Sequence, residues 1–524
     1  MRRWLLGAAL AAVSGCAAET VFRDGPIVWE VADDASIPEP KETEYVKFSH
    51  YAQIAVMDPV DHTLAIPVAR RAQEINALDE VPDSTWFENR IGRFDLTPED
   101  VLRGPGGAPP KLPLTITKGK SSGSNPGFFA KDASGRSFLI KFDIHPEMQT
   151  GNAAVASRLF WAMGYHAPSE NLFSFTLDDV NIDPKATIDT ELEEDLPFTR
   201  QVLESVLARS VTAKDGVYRS LASELLPGKP KAGWPDRGVR DDDPNDTIPH
   251  EHRRVLRGLH AFGAWLEHSD INIRNTLDMY VEEDGRRFLR HYLVDFGETL
   301  GAHGVDHDWI GYQYLFDYKY QFGSLFTFGL WKRPWEGKPT RPFQSVGSYT
   351  AVDFDPTLWR EKKPYYPFRE RTAADLFWAA KIVMRFSRAH IEAAVSAGKF
   401  SDQAAAGYLT ETILSRGRAI GLAYIAPYTA VDRFSVTREG LCMIDLAVHH
   451  HVARGGAIER VVDGDVVTSA RVGEQGRVCL PGPGDQPYVV YELQTRRDGK
   501  TLPSMEVHVR GGAEPRLLGV IRDF

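Results

Sequence analysis

Residues 114–143 alternate between apolar and polar side chains in short stretches. The stretches LTITKGK, FFAKD and RSFLIKFD have the two-residue period of half-buried strands, and SSGSNPG and ASG between them are typical of turns. A second group of strands is predicted at 276–294, where Glu283, Asp284 and Gly285 mark a hairpin turn. Past Val431, short alternating stretches such as PYVVYELQT and SMEVHVR predict a further region of strands.

Four other segments have the apolar spacing of helices. From Thr150 to Met163 the apolar residues recur every three or four positions, and Gly164 follows as a C-cap. A second helix is predicted from about Pro249 to Glu267, with Pro249 in its first turn. Two more are predicted at 372–397 and 401–424. Strands and helices together predict a mixed α+β chain of two or three domains.

The charge and the first residues limit where the protein acts. A net charge of −11 with no long Lys/Arg run argues against nucleic acid as the main partner. Arg2 and Arg3 precede an apolar run that is too short to span a bilayer, which is typical of an export signal. The segment from Val13 to Cys16 resembles the lipobox of bacterial lipoproteins, which implies cleavage before Cys16 and its acylation. A plain secretory signal with an incidental cysteine is the alternative.

A lipid anchor would place the protein in the bacterial envelope. Ala17 follows Cys16 where an aspartate would resemble an inner-membrane retention signal, so the outer membrane facing the periplasm is favoured. The two remaining cysteines, Cys442 and Cys479, could form a disulfide there, and two buried free thiols are equally compatible with the sequence. No CxxC pair exists, which excludes a cysteine-based zinc site.

Candidate chemistry is concentrated in one region. His268, Asp270 and Asn275 follow the second predicted helix, with a spacing of five from Asp270 to Asn275, and Asp295-Phe296-Gly297 follows the hairpin. Phosphoryl transfer needs one carboxylate to orient and deprotonate a hydroxyl. It also needs an amide oxygen and a second carboxylate to hold a metal ion on the phosphates.

These two motifs, in this order, resemble the catalytic loop and the metal motif of protein kinases. The resemblance implies that Asp270 is the catalytic base and that Asn275 and Asp295 bind Mg²⁺ or Mn²⁺. It further implies a lysine on a strand upstream, which Lys141 supplies, for the phosphates of ATP or another nucleotide. Ser269 in place of the arginine, the long hairpin and the absence of an A-P-E motif are departures from the kinase pattern.

Four weaker assignments complete the nucleotide site that the resemblance implies. Gly119, Gly123 and Gly127 would form the glycine-rich hairpin, although their spacing of four differs from that of kinases. Glu147, at the entrance of the helix after the lysine strand, would be the acidic partner of Lys141. A first-turn glutamate favoured by the helix dipole is an equal interpretation of Glu147.

The element order is similar to that of the wider protein-kinase-like superfamily, including HipA-type, CotH and secretory-pathway kinases. The chain also resembles a group of bacterial exported lipoproteins carrying DEVPDSTWFENRIG, RDDDPNDTIPHEHRR and HYLVDFGETLG. The implied fold has two lobes and a small C-terminal all-β domain. The expected divisions are a signal peptide at 1–15, a tether and wrapping segment at 16–78, an N-lobe at 79–178, a C-lobe at 179–430 and the β domain at 431–524.

Two further stretches each allow two interpretations. The acidic run at 240–246 could hold a divalent cation, and a solvated loop and helix cap is the favoured interpretation. Eleven aromatic residues at 309–335 could stack on sugar rings or a peptide, and core packing is favoured.

The sequence supports three hypotheses about function. The first is a metal-dependent phosphotransferase with an unknown protein, glycan or small-molecule acceptor. The second is an inactive kinase-like binding protein, and the third is an envelope assembly lipoprotein whose β domain makes the contacts. ATP is not expected in a bacterial periplasm, so the phosphate donor is open.

Overall fold

A computed structural model of the chain describes residues 21–42, 57, 60, 64, 70–121, 123, 125–189, 195–211, 213–303, 309–331 and 341–524. The leader and Cys16 lie outside the described residues, so lipid anchoring stays a prediction. Helix and strand occupy similar shares, 26% and 27%, in several sheets, which confirms the mixed α/β class. The two-lobed kinase-like arrangement and a separate C-terminal β domain stay predictions. Among the described residues, no helix combines the length and apolar composition needed to cross a bilayer.

The first sheet has eight strands and carries the predicted lysine. Its strands are β1 Leu114–Gly119, β2 Gly127–Lys131, β3 Ser137–Lys141, β4 Glu170–Phe175, β5 Val180–Ile188, β6 Leu196–Pro197, β7 Ala213–Lys214 and β8 Val217–Glu224. Their order is β4-β8-β3-β2-β1-β5-β6, and β7 pairs with β8. The strands β1, β2 and β3 form a consecutive antiparallel set, where the sequence predicted strands. Their alternate apolar residues, including Phe128 and Ile140, are buried in a core of their own.

Ten helices are described. They are α1 Pro98–Arg103, α2 Met148–Met163, α3 Arg200–Ala208, α4 Arg254–Leu266, α5 Tyr318–Phe326, α6 Tyr366–Arg369, α7 Ala373–Val383, α8 Arg388–Ser396, α9 Gln403–Tyr424 and α10 Leu446–His449. Short 3₁₀ turns occupy Leu177–Asp179, His250–His252, Ile273–Asn275 and Phe296–Glu298.

Two of the predicted helices have different bounds in the structure. The helix expected from Pro249 begins at Arg254, because His250–His252 forms a separate 3₁₀ turn and Arg253 is extended. The helix expected at 372–397 is divided into α7 and α8. Ser387 causes this division, since its side chain accepts a hydrogen bond from the backbone N–H of His390 and starts a new helix.

Helix α4 lies at the centre of the largest core, and every one of its residues is buried. It nevertheless carries two arginines. The guanidinium of Arg254 contacts Asp79 at 2.9 Å and Asp375 at 3.1 Å, and Arg257 lies 3.6 Å from Asp375. Because a buried charge is stable only when it is paired, these contacts fix α4 against α7 and against the chain at Asp79.

The second sheet has three strands, β9 Lys229–Pro230, β10 Thr276–Glu283 and β11 Arg286–Leu293. The strands β10 and β11 form the hairpin that the sequence predicted. Asp284 and Gly285 at its tip both have positive φ, 49° and 76°, as the tight two-residue turn requires. The hairpin separates the 268–275 loop from Asp295 in the sequence. Because its two strands pair along their whole length, it brings Asp295 back next to that loop.

Residues 431–524 contain nine strands and the short helix α10. The strands are β12 Val431–Val436, β13 Gly440–Asp445, β14 Ala457–Val462, β15 Asp465–Arg471, β16 Arg477–Pro481, β17 Val489–Arg497, β18 Lys500–Thr501, β19 Met505–Arg510 and β20 Arg516–Arg522. They form one sheet of three strands and one of six, around a core that includes Leu441, Tyr491 and Val507. Asp432 joins this region to α7 through Lys381 at 2.8 Å.

The described part of the predicted tether, residues 21–42, lies on the surface of the body. Asp24 pairs with Arg510 at 2.9 Å and with Arg516, next to the C-terminal strands. At the other end, Glu39 pairs with Lys229 and Lys231 beside the second sheet. This segment therefore runs along the body from the C-terminal strands to β9.

Cys442 and Cys479 face each other on the paired strands β13 and β16 and form a disulfide. This settles the alternatives that the sequence left open in favour of the disulfide. The bond closes a sequence separation of 37 residues, which includes β14 and β15.

We expect the double substitution Cys442→Ser/Cys479→Ser to lower the free energy of unfolding by about 2–4 kcal/mol, because the unfolded chain regains the entropy of the open loop. Thermal unfolding with and without a reductant measures this. The reductant should destabilise the wild-type chain and leave the double variant unchanged, and an equal response of both proteins would contradict the prediction.

Candidate functional site

Lys141 and Asp295 are separated by 154 positions in the chain and are in direct contact. Lys141 ends β3, and its Nζ donates to Oδ1 of Asp295 at 2.9 Å. Burial lowers the pKa of Lys141, but the charges of Asp295 and Glu170 and the hydrogen bond to Asp295 together outweigh this effect, so its pKa is raised. The charge of Lys141 in turn lowers the pKa of Asp295. Both groups are therefore charged at neutral pH.

The backbone holds Asp295 in an uncommon conformation. Its φ and ψ are 60° and 68°, in the left-handed region that a non-glycine residue seldom adopts. The next residue, Phe296, is fully buried and stacks on Phe160 of α2 with ring centroids 5.0 Å apart. Anchoring of Phe296 in the core lets the strained residue before it keep its carboxylate at the surface of the cavity.

Asp270 and Asn275 are joined by hydrogen bonds within one tight loop. The Nδ2 of Asn275 donates to the backbone oxygen of Asp270 at 2.6 Å and to its Oδ2 at 3.0 Å. Asn272 donates to Oδ1 of the same carboxylate at 3.1 Å, and Lys363 lies 3.8 Å from that oxygen. The spacing of five in the sequence therefore corresponds to a real contact, with the Asp270 carboxylate held in one orientation.

The ring of His268 packs in the core next to this loop. It is buried between Phe160 and Phe296, with ring centroids at 5.1 and 5.7 Å. Burial lowers the pKa of His268 to about 4, so the ring is neutral at pH 7. Its place in the apolar packing indicates a structural role that connects the 268–275 loop to the segment of Asp295.

Lys141, Asp270, Asn275 and Asp295 all line one cavity of about 400 Å³. Part of its wall is apolar. That part consists of Leu139, Leu221, Leu225, Leu226, Leu277 and Val294. A concave site with an apolar wall and a few convergent polar groups is typical of small-molecule binding sites.

The three predicted glycines have different surroundings. Gly123 lines the cavity. A Cβ on Gly127 would lie 2.3 Å from the backbone oxygen of Ile140, so glycine is required where β2 pairs with β3. A Cβ on Gly119 would meet the side chain of Ile188 at 2.6 Å, so this glycine serves packing against β5. Of the three, only Gly123 has a position from which it could contact a ligand.

Glu147 is not beside Lys141. Its backbone is left-handed, with φ 61°, and its Oε2 accepts a hydrogen bond from the backbone N–H of Ser401 at 2.9 Å. It lines a different cavity. Helix α2 starts only at Met148, and the turn at Glu147 directs the carboxylate to the 401 loop. The structure thus gives Glu147 no contact with Lys141, whereas its position as the N-cap of α2 leaves the helix-dipole interpretation open.

The sequence analysis missed Glu170, the first residue of β4. Strand β8 lies between Glu170 on β4 and Lys141 on β3. Ser223 of β8 pairs with Glu170 on one side and with Leu139 of β3 on the other. Lys141 lies two positions after Leu139 and therefore on the same face of the sheet. Glu170 is only 1% exposed, and both of its carboxylate oxygens lack a hydrogen-bond partner. Burial raises its pKa to about 7, and the charge of Lys141 opposes this shift.

A signal for Glu170 was present in the sequence. The stretch ENLFSF alternates like a strand, and Glu170 occupies the inward phase together with Leu172. A carboxylate at an inward strand position needs a partner, which made it a candidate for the lysine.

Two more polar residues of the cavity were missed. Gln149, in the first turn of α2, is buried, and neither polar atom of its side chain has a hydrogen-bond partner. Lys120 donates to the backbone oxygen of Asn125 at 2.8 Å. Burial lowers the pKa of Lys120 to about 8, and the charge of Lys141 adds to this effect. With Lys141 it makes one end of the cavity favourable for an anion.

The donor set fits a magnesium or manganese ion only together with a ligand. Because Nδ2 of Asn275 donates to Asp270, its carbonyl oxygen is the atom left for a metal ion, and Asp295 adds a carboxylate oxygen. No group of three or more metal-binding His, Cys, Asp or Glu side chains occurs among the described residues. Two protein oxygens suit Mg²⁺, which is usually bound by one or two side chains, waters and phosphate oxygens.

The acidic run at 240–246 is held by internal pairs. Asp246 accepts from His250 at 2.8 Å and from Arg253 at 2.7 Å, and all three side chains are buried. Arg240 contacts Asp242 at 2.8 Å and Asp278 at 3.0 Å. These carboxylates are paired with cationic or ring partners. The run therefore has a structural role, but as a partly buried network of ion pairs and not as the solvated loop and helix cap that the sequence predicted, since Asp243 and Asp246 are buried.

Comparison of the chain with protein-family models, curated proteins and solved structures finds no match.

We expect Glu170→Gln to change how stability depends on pH. The pKa of Glu170 is higher in the folded protein than in the unfolded chain, so the folded state binds the extra proton and wild-type stability falls as pH rises from about 4.5 to about 7. The variant has no carboxyl group at position 170, so its stability does not fall for this reason. Relative to wild type, its free energy of unfolding should therefore increase by the order of 2–3 kcal/mol between pH 4 and pH 8. Urea unfolding at the two pH values measures it, with Glu204→Gln on the exposed face of α3 as control, and parallel pH profiles of E170Q and wild type would refute it.

Proposed function

We propose that the chain is a metal-dependent phosphotransferase of an atypical kinase-like type that works in the bacterial envelope. The observation that carries the proposal is the contact of Lys141 with Asp295 at 2.9 Å, in a cavity that Asp270 and Asn275 also line. An ammonium group, two carboxylates and an amide are the groups that phosphoryl transfer requires.

Each of the four residues has a separate role in this proposal. Lys141, aided by Lys120, binds the phosphates of a nucleotide at the cationic end of the cavity. Asn275 and Asp295 would hold Mg²⁺ or Mn²⁺, which neutralises phosphate charge when it is bound. Asp270 orients the acceptor hydroxyl and accepts its proton while the acceptor oxygen bonds to phosphorus and the bond to the leaving phosphate oxygen breaks.

Lys141 has to change its partner when a ligand binds. In the structure its ammonium occupies one oxygen of Asp295, the residue proposed to bind the metal ion. When a phosphate binds together with its metal ion, the metal ion would bind Asp295 and the phosphate would bind Lys141, so the two side chains would separate. Lys141 would then lie beside Glu170, which is on the same face of the sheet and whose buried carboxylate has no hydrogen-bond partner. We therefore assign Glu170, in place of Glu147, as the residue that positions Lys141 in the liganded state.

The kinase-like two-lobed fold is part of the proposal. The eight-stranded sheet would form one lobe, and α4 with the 268–275 loop and the β10–β11 hairpin would form the other. The cavity lies where these parts meet, since its lining comes from both. The proposed location at the outer membrane, facing the periplasm, depends on the predicted acylation of Cys16.

A binding protein without turnover is the second candidate. It is favoured by the Lys141–Asp295 pair itself, because this pair satisfies the charges of the cavity without a metal ion. The two candidates differ in whether phosphate is transferred, which an experiment can decide.

We expect ATP or GTP with Mg²⁺ or Mn²⁺ to raise the unfolding temperature of the chain from Ala17 onward, which retains every contact described above. The metal ion without a nucleotide should give no shift, since the described donor set is too small to bind the ion alone. Asp295→Asn and Lys141→Met should lose most of the shift, whereas Asp284→Asn, in the exposed hairpin turn, should keep it. No shift with any nucleotide and metal ion would refute the proposal.

Phosphate transfer separates the two candidates. With a radiolabelled nucleotide and envelope extract as acceptor, the wild-type chain should transfer label, and Asp270→Asn should reduce the rate by about 100-fold or more because the base is lost. Nucleotide binding by Asp270→Asn should persist. Binding without transfer in the wild-type chain would support the binding protein instead.

We expect nucleotide affinity to fall as pH rises through about 8, because Lys120 loses its proton there and with it one of the two positive charges. The phosphates are already fully ionised in this range, so the change reports on the protein. Calorimetric titration of ATP with Mg²⁺ at pH 7 and pH 9 measures it. Lys120→Arg should bind about equally at both pH values, since a guanidinium does not titrate there, and a variant that keeps the wild-type pH dependence would contradict the assignment.

A further inference from the structure

A second cavity lies in the aromatic-rich segment, apart from the site already described. Its volume is about 730 Å³, within the range of small-molecule binding sites. The segment 309–335 was expected to pack in a core, and this expectation is wrong for much of its described part, 309–331, while Trp335 lies outside the described residues. Tyr314 is buried, but Phe322 is 54% exposed and Phe328 is 93% exposed. Aromatic side chains in this number at a surface need a reason other than core packing.

One wall of the cavity presents aromatic rings. Helix α5 places Tyr318 and Phe322 there, four positions apart and therefore on one face, and Tyr320 contributes a third ring. Tyr320 is itself stacked on Trp331, with centroids 5.4 Å apart and planes at 20°, so its ring has a fixed orientation. Fixed aromatic faces bind flat apolar surfaces, such as the C–H face of a sugar ring.

The floor of the cavity is formed before any ligand binds. Glu267 accepts from Nε1 of Trp359 at 3.0 Å and from Arg416 at 2.7 Å, and all three residues line the cavity. Gly311 lies directly on this carboxylate, because a Cβ there would be 2.3 Å from its Oε1. Arg416 is 2% exposed, and its Nε is a buried donor without a hydrogen-bond partner. The guanidinium of Arg416 also lies over the ring of Phe354, 3.8 Å from its centroid, so the floor is held by packing as well as by hydrogen bonds.

The charges of the described lining disfavour anionic ligands. Four carboxylates belong to the described lining, those of Glu267, Asp317, Asp353 and Asp355, against the guanidinium groups of Arg360 and Arg416. Asp353 and Asp355 lie on an exposed loop that also lines the cavity. Carboxylates accept hydrogen bonds from hydroxyl groups, which a neutral sugar offers in number. Aromatic rings and hydroxyl acceptors in one cavity therefore match a neutral carbohydrate.

One segment connects this cavity to the polar cavity of Lys141. Trp359 and Arg360 line the aromatic cavity, and Lys363 lines the other, where it lies 3.8 Å from Asp270. Between them, the backbone N–H of Lys362 donates to Ser269 at 2.8 Å. The segment 359–363 thus runs from the lining of one cavity to the lining of the other.

We propose that the aromatic cavity is a binding site for a short neutral oligosaccharide. The ligand would stack on the rings of Tyr318 and Phe322, which share one face of α5, and donate hydroxyl hydrogen bonds to Asp353. This site does not depend on the proposed phosphotransfer. A bound glycan would nevertheless lie at one end of the segment 359–363, which carries Lys363 at its other end.

Titration of the chain from Ala17 onward with chitotriose, cellotriose and maltotriose tests the proposal by calorimetry and by tryptophan fluorescence, since Trp331 and Trp359 lie at the site. At least one trisaccharide should bind. Phe322→Ala and Asp353→Asn should each weaken that binding by about fivefold, the loss expected for one stacked ring or one hydrogen bond. Phe94→Ala, at an equally exposed phenylalanine elsewhere, should bind like wild type.

Three results would overturn the proposal. They are no binding of any of the three sugars up to about 10 mM, binding that neither lining variant weakens, and binding of an oligolysine peptide at this site in place of the sugars. Lys141→Met should leave sugar binding unchanged while it removes the nucleotide-dependent shift. Sugar binding without any nucleotide effect would therefore refute the phosphotransferase and leave the carbohydrate site intact.

Discussion

The contact between Lys141 and Asp295 is the interaction on which the candidate site depends. It joins the end of a strand in the eight-stranded sheet to the turn after the β10–β11 hairpin, and so closes one side of the cavity. A buried ammonium is stable only with a partner, so the two parts of the chain are tied together where the ligand would bind. Asp295 can serve in this way because Phe296 behind it is anchored in the core and holds the strained backbone in place. The same pair that stabilises the empty cavity is the one that a metal ion and phosphate would have to separate.

Glu147 and Glu170 illustrate how tertiary structure selects between two acidic residues. Glu147 is nearer to Lys141 in sequence, at the entrance of the helix where a kinase-like pattern would look for it. Its left-handed backbone directs it to Ser401 instead. Glu170 is 29 positions from Lys141 in the chain, but sheet order places β8 alone between their strands. Strand register therefore decided the acidic neighbour of the lysine, and register depends on pairings that a single sequence does not display.

The surroundings of the polar motifs could be predicted from the sequence, whereas those of the aromatic segment could not. Around Asp270, short hydrogen bonds within one loop fix the geometry, and the pattern of residue types alone was enough to find it. In the aromatic segment the composition suggested burial, whereas the side chains are divided between a buried part at Tyr314, a cavity wall at Phe322 and an exposed tip at Phe328. Hydrophobicity gives the tendency to leave water, but the amount of core available to cover each ring is a property of the whole fold.

The sequence by itself determined the elements whose signal is local. The strands β1, β2 and β3, the β10–β11 hairpin and the helix after Lys141 all follow from side-chain period and turn residues, which act over a few positions. The loop from Asp270 to Asn275 was found through its resemblance to a kinase motif, which is also a local pattern. The disulfide between Cys442 and Cys479, the start of α4 at Arg254 and the place of Glu170 were decided only by the tertiary structure. Each of these depends on which distant segments are neighbours, because pairing across a sheet and burial of charge are set by the packing of the whole chain.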